Sequence, residues 1–279
     1  STIALITASL QFINRNHKEL IEINVQADKE RIEKYYFNKE TFPLVYESIN
    51  EPDTFLYKGI ESIEEKSWVT GNTILRYIGE KYEIKIPLWN KFTVKESIII
   101  PEAYLIPKEF QSIIEIAKLH GINIDVLDKN TKFSVEKIRF KNIKFPQNSF
   151  EGRTLPEYEY DLFPDTVEVP KGTFYIPTNQ RTLPMIVYLF EPKSTDSFVK
   201  WGFFNSIFER KEYFESYSME PIARKMAKEN PELKEEFLRK IESDEQFAKN
   251  PRARLNFFYE RSPYFDSQYN LYPVMRVIK

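Results

Sequence analysis

The segment Ala103–Leu127, AYLIPKEFQSIIEIAKLHGINIDVL, decides the fold class because it joins strand and helix patterns without a linker. Its first four residues form a short apolar run before a proline, which is typical of a strand. Pro107 then opens a helix, whose inner face is expected to consist of Phe110, Ile113, Ile114 and Ala117. Gly121 suits the left-handed position after a helix end, and Ile122–Leu127 has the pattern of a further strand. The segment therefore predicts an α+β fold.

Further strand patterns extend outward from this segment. Phe55–Ile60 and Tyr82–Leu88 include stretches in which apolar and polar residues alternate, as expected for strands. Phe133–Phe145 predicts a longer strand, with a bulge where the apolar period slips between Phe140 and Ile143. These patterns predict a β-rich domain with one packed helix.

A second strand group and a helical tail follow. Acidic and apolar residues alternate within 154–177, and the dense Glu, Lys and Arg after Glu209 indicate helices. Asn230-Pro231 and Asn250-Pro251 are typical helix starts, with Asn as N-cap and Pro at the first helical position. The sequence thus predicts three parts: an N-terminal helix over residues 1–41, a β-rich domain over 42–150, and a strand group with a C-terminal helical region over 151–279.

The N-terminal part predicts an amphipathic helix from Ser1 to about Tyr36. Its apolar residues recur every three or four positions together with His17: Ile3, Ile6, Leu10, Ile13 and Leu20. Such a stripe needs a covering surface, and the start of the helix has no capping residue. The helix can pack on the rest of this chain, but we expect it to be the last helix of a missing upstream domain. Without that domain, we expect self-association through Ile3, Ile6, Leu10 and Ile13.

The composition excludes several kinds of site. The chain has 279 residues, 40 of them basic and 42 acidic, and the formal net charge of -2 argues against nucleic-acid binding through global charge. With no Cys and only two His, disulfides, thiolate metal sites and three-His sites are excluded. Seven Gly leave little room for a glycine-rich phosphate loop. No apolar run approaches the ~18 residues of a membrane span.

The ionisable residues predict neither a catalytic residue nor a metal ligand. His17 and His120 have no second ligand three or four residues away, so both are interpreted as structural, His120 as a donor at a helix end. One acidic group, Glu209, Glu212 and Glu215, has i+3 spacing on an expected helix and is interpreted as a solvated face with ion pairs. A second group near a strand end, Asp161, Asp165 and Glu168, lacks the spacing of an EF-hand calcium loop. An enzyme that uses two carboxylates, such as a glycosidase, is a third and weaker hypothesis.

An aromatic concentration lies between the second strand group and the helical tail, and includes Trp201, Phe203, Phe204 and Tyr213. If exposed, these rings would suit a carbohydrate or a peptide. If buried, they would form the core that joins helices to sheet, which is the interpretation preferred here. A stand-alone carbohydrate- or peptide-binding module is therefore the alternative function.

Several of these stretches resemble a known family. Pro192–Asn205, PKSTDSFVKWGFFN, and Arg261–Tyr264, RSPY, are similar to the C-terminal region of bacterial zinc carboxypeptidase-like proteins of the carboxypeptidase A-like metallopeptidase family. Glu102–Pro107 and Phe150–Arg153 are similar to the middle region of the same proteins. The N-terminal helix resembles the last helix of their catalytic domain.

The resemblance implies a zinc ion held by a His-x-x-Glu pair and a later His, with a further Glu as general base, in an N-terminal catalytic domain. Neither His of this chain stands in that pattern, so no catalytic residue is carried over. We therefore expect a non-catalytic C-terminal accessory region that is inactive alone. Its expected partner is the upstream catalytic domain, which would hold the zinc and remove C-terminal residues from peptides. The compartment is left open, with a periplasmic or secreted parent as the expectation.

Overall fold

The structure is a computed structural model that describes residues 2–278. Within these residues it contains seven α-helices and ten strands, which confirms the predicted α+β class. The chain divides into two compact units. The first reaches Ile100 and includes residues 193–195, and the second comprises Pro101–Pro192 and the chain from Asp196 onward. The division into three domains expected from the sequence stays a prediction.

The first unit begins with the predicted helix, α1 (Thr2–Ile32), which continues into a π-helical turn at Glu33–Phe37. No Pro or Gly interrupts it. Although α1 has 31 residues, neither it nor any other helix in the described chain is long and apolar enough to cross a membrane. No residue between Thr2 and Ile32 is buried. Because most helical stability in proteins comes from packing an apolar face, α1 gains little stabilisation within this chain.

The rest of the first unit is antiparallel β structure. β1 (Phe42–Ser48) pairs with β4 (Phe92–Ile98), and β2 (Asp53–Lys66) pairs with β3 (Thr73–Leu88) in a long hairpin, termed the ribbon. The predicted strands around Phe55 and Tyr82 are thus confirmed and are partners of each other. In the described ribbon, Gly59 is the only buried position, so its two strands have little core of their own.

The second unit is built on one six-stranded antiparallel sheet in the order β6-β9-β5-β10-β7-β8. Its strands are β5 (Ala103–Ile106), β6 (Asp125–Val126), β7 (Thr131–Lys144), β8 (Glu157–Val169), β9 (Phe174–Pro177) and β10 (Met275–Val277). The strands on both sides of residue 150 therefore share a sheet. The expected strand over Ile122–Leu127 is shortened to β6. The predicted irregularity near Ile143 is confirmed, because the β7–β8 register shifts between Lys141 and Lys144.

Alternation along β5 sends its side chains to two apolar layers, and all four residues are buried. Tyr104 and Ile106 belong to the layer that includes residues of α2 (Gln111–Leu119) and α3 (Leu183–Phe190). The other layer consists of Ala103, Leu105, Val135, Val169 and Val277, with further side chains packed at its edge. Burial on both faces explains the uninterrupted apolar run that begins the segment quoted above.

The predicted helix after Pro107 is confirmed, and it starts with a 3-10 turn at Lys108–Phe110 before α2. Its inner face is buried at Ile113, Ile114 and Ala117. Gly121 has a φ angle of 74°, as expected for a left-handed residue after a helix.

The helical tail has its own apolar core. It contains α4 (Ser216–Glu229), α5 (Pro231–Ser243), α6 (Glu245–Lys249) and α7 (Pro251–Tyr259). The side-chain oxygens of Asn230 and Asn250 accept hydrogen bonds from the backbone N–H groups three residues ahead, at 3.1 and 3.0 Å. Both predicted helix starts are therefore confirmed.

The expected helix through Glu209, Glu212 and Glu215 is wrong. α4 begins only at Ser216, and residues 209–215 are not helical. The carboxylates recur at helical spacing, but no apolar stripe accompanies them, and such a stripe is what holds a helix against a core. Of these residues only Phe214 is buried, and it packs into the tail core from irregular chain.

Candidate functional site

The four aromatic residues singled out from the sequence do not share one environment. Phe204 is fully buried, Trp201 and Phe203 are half-buried, and Tyr213 is 73% exposed. Phe204 packs edge-to-face on Tyr272 with ring centroids 5.1 Å apart. The cluster is thus divided between core and solvent, and its use as a carbohydrate or peptide surface stays a prediction.

Two segments that carry the family resemblance contact each other. The guanidinium carbon of Arg153 lies 3.6 Å from the ring centroid of Phe203, and the rings of Phe150 and Trp201 are 6.1 Å apart. These contacts join the chain that precedes β8 to the turn that follows α3. Two of the stretches that resemble the family are therefore packed against each other in the structure.

A glycine is required in this turn. Gly202 has a φ angle of +72°, and a Cβ built there would lie only 2.6 Å from the carbonyl oxygen of Thr154. The same oxygen accepts a hydrogen bond from Nδ2 of Asn205 at 2.9 Å. The sequence WGFFN thus combines a left-handed residue with a close approach of two backbones, for which only glycine has the space.

A buried charge cluster lies at the centre of the second unit. The strand register places Tyr104, Arg276 and Glu136 side by side on β5, β10 and β7. Arg276 Nη1 donates to Glu136 Oε2 at 2.6 Å, and Arg276 Nε lies 3.1 Å from Oε1 of Glu191. The Tyr104 hydroxyl donates to the same Glu191 oxygen at 2.5 Å. Glu191 directly follows α3, so the cluster ties that helix to the middle of the sheet.

The environment shifts the pKa of each buried member. Burial raises the pKa of the Glu191 carboxyl, opposed by the charge of Arg276 and the Tyr104 hydroxyl. Burial alone would lower the pKa of Arg276, but the charge of Glu191 and of other nearby acids outweighs it and raises that pKa. Burial also raises the pKa of Tyr104, which keeps its hydroxyl a hydrogen-bond donor. Because the charges are mutually paired, we interpret the cluster as a structural anchor.

Sequence reasoning missed this cluster because Glu191 and Arg276 are single charged residues that lie next to or within apolar runs. Glu191 follows the apolar helix LPMIVYLF, and Arg276 interrupts the apolar residues of β10. A single charged residue within an apolar run is the local signal that could have found them, since such residues are almost never fully buried unless paired.

The histidines lie on separate elements. His17 is exposed on α1, with Nδ1 2.9 Å from the carbonyl oxygen of Asn14, and His120 is exposed directly after α2. Within residues 2–278 no three His, Cys, Asp or Glu side chains form a group that could hold a metal ion. The side chains of the described chain therefore do not assemble the zinc ligand set that the family resemblance implies.

Two acidic residues of β8, Asp161 and Asp165, belong to cross-strand ion pairs. Asp161 accepts a hydrogen bond from Lys141 at 2.6 Å, and Asp165 lies 2.8 Å from the ammonium of Lys137. The third acidic residue, Glu168, is opposite Lys132 in the register. This pairing explains the alternating acidic pattern of the sequence as sheet stabilisation.

The candidate interaction surface lies in the first unit, and its first part is the helix stripe, defined as Ile3, Ile6, Leu10 and Ile13. These four side chains are 50–78% exposed in this chain. They recur on one side of α1, as predicted. Contiguous exposed apolar residues of this kind mark contact sites for another protein surface.

The second part of the surface is the ribbon face, formed where β2 and β3 pair. The register places Phe55 opposite Ile86 and Tyr57 opposite Ile84, all on one face of the ribbon. Of these, Phe55, Tyr57 and Ile84 are more than 40% exposed. Sequence reasoning found the alternation but did not predict that this face is exposed, because periodicity identifies a face and not what covers it.

Comparisons with known proteins give a partial match. Over 102 residues, 37% of this chain, the sequence is 28% identical to Carboxypeptidase 2 of Trichophyton rubrum, and an equally long match is found with Carboxypeptidase 2 of Trichophyton equinum. A probable carboxypeptidase 2 of Arthroderma benhamiae is 24% identical over 96 residues. The chain spans about a fifth of the length of these curated relatives, 19% in the first case.

No family model matches the chain. No solved structure matches it either. The partial similarity supports a carboxypeptidase-related region. These relatives are fungal proteins, and the bacterial origin and zinc family expected from the sequence stay predictions.

Proposed function

We propose that this chain is a non-catalytic accessory region of a carboxypeptidase-like protein, and that its first unit docks on the catalytic domain of that protein. The parent would remove C-terminal residues from peptides with a zinc ion held in that catalytic domain. The observation that carries the proposal is the local similarity to carboxypeptidase 2, found in a chain with only two His and no Cys.

The exposed apolar residues support the docking role. Fully burying one Leu or Ile side chain stabilises a protein by roughly 1.5–3 kcal/mol. Leaving the four residues of the helix stripe in water therefore forgoes several kcal/mol of stabilisation. The exposed apolar side chains of the ribbon face increase this loss. A partner that covers both would regain that free energy. In the isolated chain, where that partner is absent, a second copy of the chain that presents the same stripe is the best replacement for it.

Replacing Leu10 by Glu tests this role. We expect the wild-type chain to self-associate, and Leu10→Glu to weaken the association by roughly 100-fold or more, because both copies carry the substitution and burial of one Leu alone corresponds to about 10- to 150-fold. Sedimentation equilibrium over a concentration series measures the change. The matched control is Ala8→Glu, which places the same charge on the opposite side of α1 and is expected to change the association less than twofold.

Two results would contradict the proposed interface. One is a monomer at all concentrations whose α1 amides are nonetheless protected from hydrogen exchange, since another part of the same chain would then cover the stripe. The other is equal weakening by Leu10→Glu and Ala8→Glu, which would indicate a general charge effect.

A further inference from the structure

Three helices of the tail enclose an open cavity, termed the tail groove. α4, α5 and α7 line a space of about 330 Å³, a size at which clefts hold small ligands or single side chains. Its floor is apolar and is formed by Ala223, Ala227, Phe237, Leu238, Leu255 and Phe258. Such a floor can bury one large apolar group.

The rim of the groove is positively charged. Glu220, Arg224, Lys234 and Arg254 are the charged residues among those that line it. Three basic residues and one acidic residue give an excess of two positive charges. Glu220 is paired with Arg224, whose Nη2 lies 2.7 Å from its carboxylate. Lys234 and Arg254 therefore carry the excess charge.

The two remaining cations are held differently. Arg254 is half-buried, and its Nη1 donates to the carbonyl oxygen of Ala248 at 3.4 Å. This contact uses one of the five N–H groups of a guanidinium. Lys234 is exposed in the first half of α5, one turn before Leu238. A carboxylate above the apolar floor would thus have two cations within reach.

We propose that the tail groove binds a short peptide segment in which a large apolar side chain lies next to a carboxylate. The apolar side chain fills the floor, and the carboxylate contacts Lys234 and Arg254. Leu238 at the edge is 46% exposed, so the groove is open to solvent and a peptide chain could enter it on one side and leave on the other. This inference does not depend on the relation to carboxypeptidases.

The test uses the full chain and three synthetic peptides with blocked termini and a fluorescent label. The first has a central phenylalanine flanked by glutamates, the second has lysines in place of the glutamates, and the third has alanine in place of the phenylalanine. We expect saturable binding of the first peptide, measured by fluorescence anisotropy. The second and third peptides are expected to bind at least about tenfold more weakly.

Two variants locate the site. Lys234→Glu reverses the rim charge at an exposed position and is expected to weaken binding of the first peptide about tenfold. Lys228→Glu is the matched control, because Lys228 is exposed on α4 and does not line the groove, and it is expected to change binding less than twofold. Thermal unfolding of both variants checks that the fold is retained.

Three outcomes would overturn the inference: no saturable binding of the first peptide, equal binding of the first and second peptides, or equal effects of Lys234→Glu and Lys228→Glu. Displacement by laurate tests the occupant. Binding of laurate without binding of the peptide would overturn the choice of a peptide.

Discussion

Replacing Arg276 by Met is expected to lower the free energy of unfolding by about 3–5 kcal/mol. The guanidinium contacts Glu191 and Glu136 at the centre of the sheet, and Glu191 is only 2% exposed. Without Arg276 the Glu191 carboxylate loses its cation while remaining buried, and a buried charge without a partner is strongly destabilising. Urea unfolding followed by circular dichroism measures the change.

Two further variants separate this effect from simple loss of charge. Arg239→Met removes an arginine from an exposed i,i+4 ion pair with Glu235, and is expected to change stability by less than ~0.5 kcal/mol. Combining Arg276→Met with Glu191→Gln removes both buried charges and should restore part of the lost stability. A loss below ~1 kcal/mol for Arg276→Met, or no recovery in the double variant, would contradict the anchor role of the cluster.

Replacing Phe204 by Ala is expected to lower the free energy of unfolding by about 3–5 kcal/mol, because it leaves a cavity in the main core. The ring is fully buried, and its centroid lies 5.1 Å from those of both Phe110 and Tyr272. It therefore joins the 3-10 turn before α2 to the chain next to β10. Thermal and urea unfolding measure the loss.

Tyr213→Ala is the control within the same aromatic concentration. Tyr213 is 73% exposed, so its truncation is expected to change stability by less than ~0.5 kcal/mol. Should Phe204→Ala instead keep the wild-type stability and abolish binding of a carbohydrate or a peptide, the aromatic residues would form a ligand site and the core interpretation would be wrong.

Local signals predicted those elements of the fold that end at distinctive residues. The strand Ala103–Ile106 is bounded by prolines, α2 ends before Gly121, and α5 and α7 begin with Asn-Pro. Each of these signals acts through the backbone: proline fixes φ, glycine permits a positive φ, and asparagine caps a helix. Such effects need no knowledge of distant contacts.

Pairing between distant segments could not be predicted in this way. β10 has three residues and inserts between β5 and β7, so its place depends on partners more than a hundred residues away in the sequence. The charge cluster around Arg276 has the same origin. For the Glu209–Glu215 segment, a charge pattern alone indicated a helix that no apolar stripe supports.

The candidate interaction surface was predicted in part. The periodicity of α1 identified Ile3, Ile6, Leu10 and Ile13, and the structure leaves them exposed. The ribbon face escaped prediction because alternating residues are equally compatible with a buried and an exposed sheet face. Deciding between these requires knowing what lies above the sheet.

The central claim, that this chain is the non-catalytic region of a carboxypeptidase-like protein, is tested most directly by one measurement on the purified chain. The chain is incubated with equimolar zinc and dialysed, its metal content is determined, and release of the C-terminal residue is followed with peptides that are blocked only at the N-terminus and have a free C-terminal carboxylate. We expect no stoichiometric zinc and no release above the buffer blank, because the described residues do not assemble a ligand set. About one zinc per chain together with release of C-terminal residues would contradict the account.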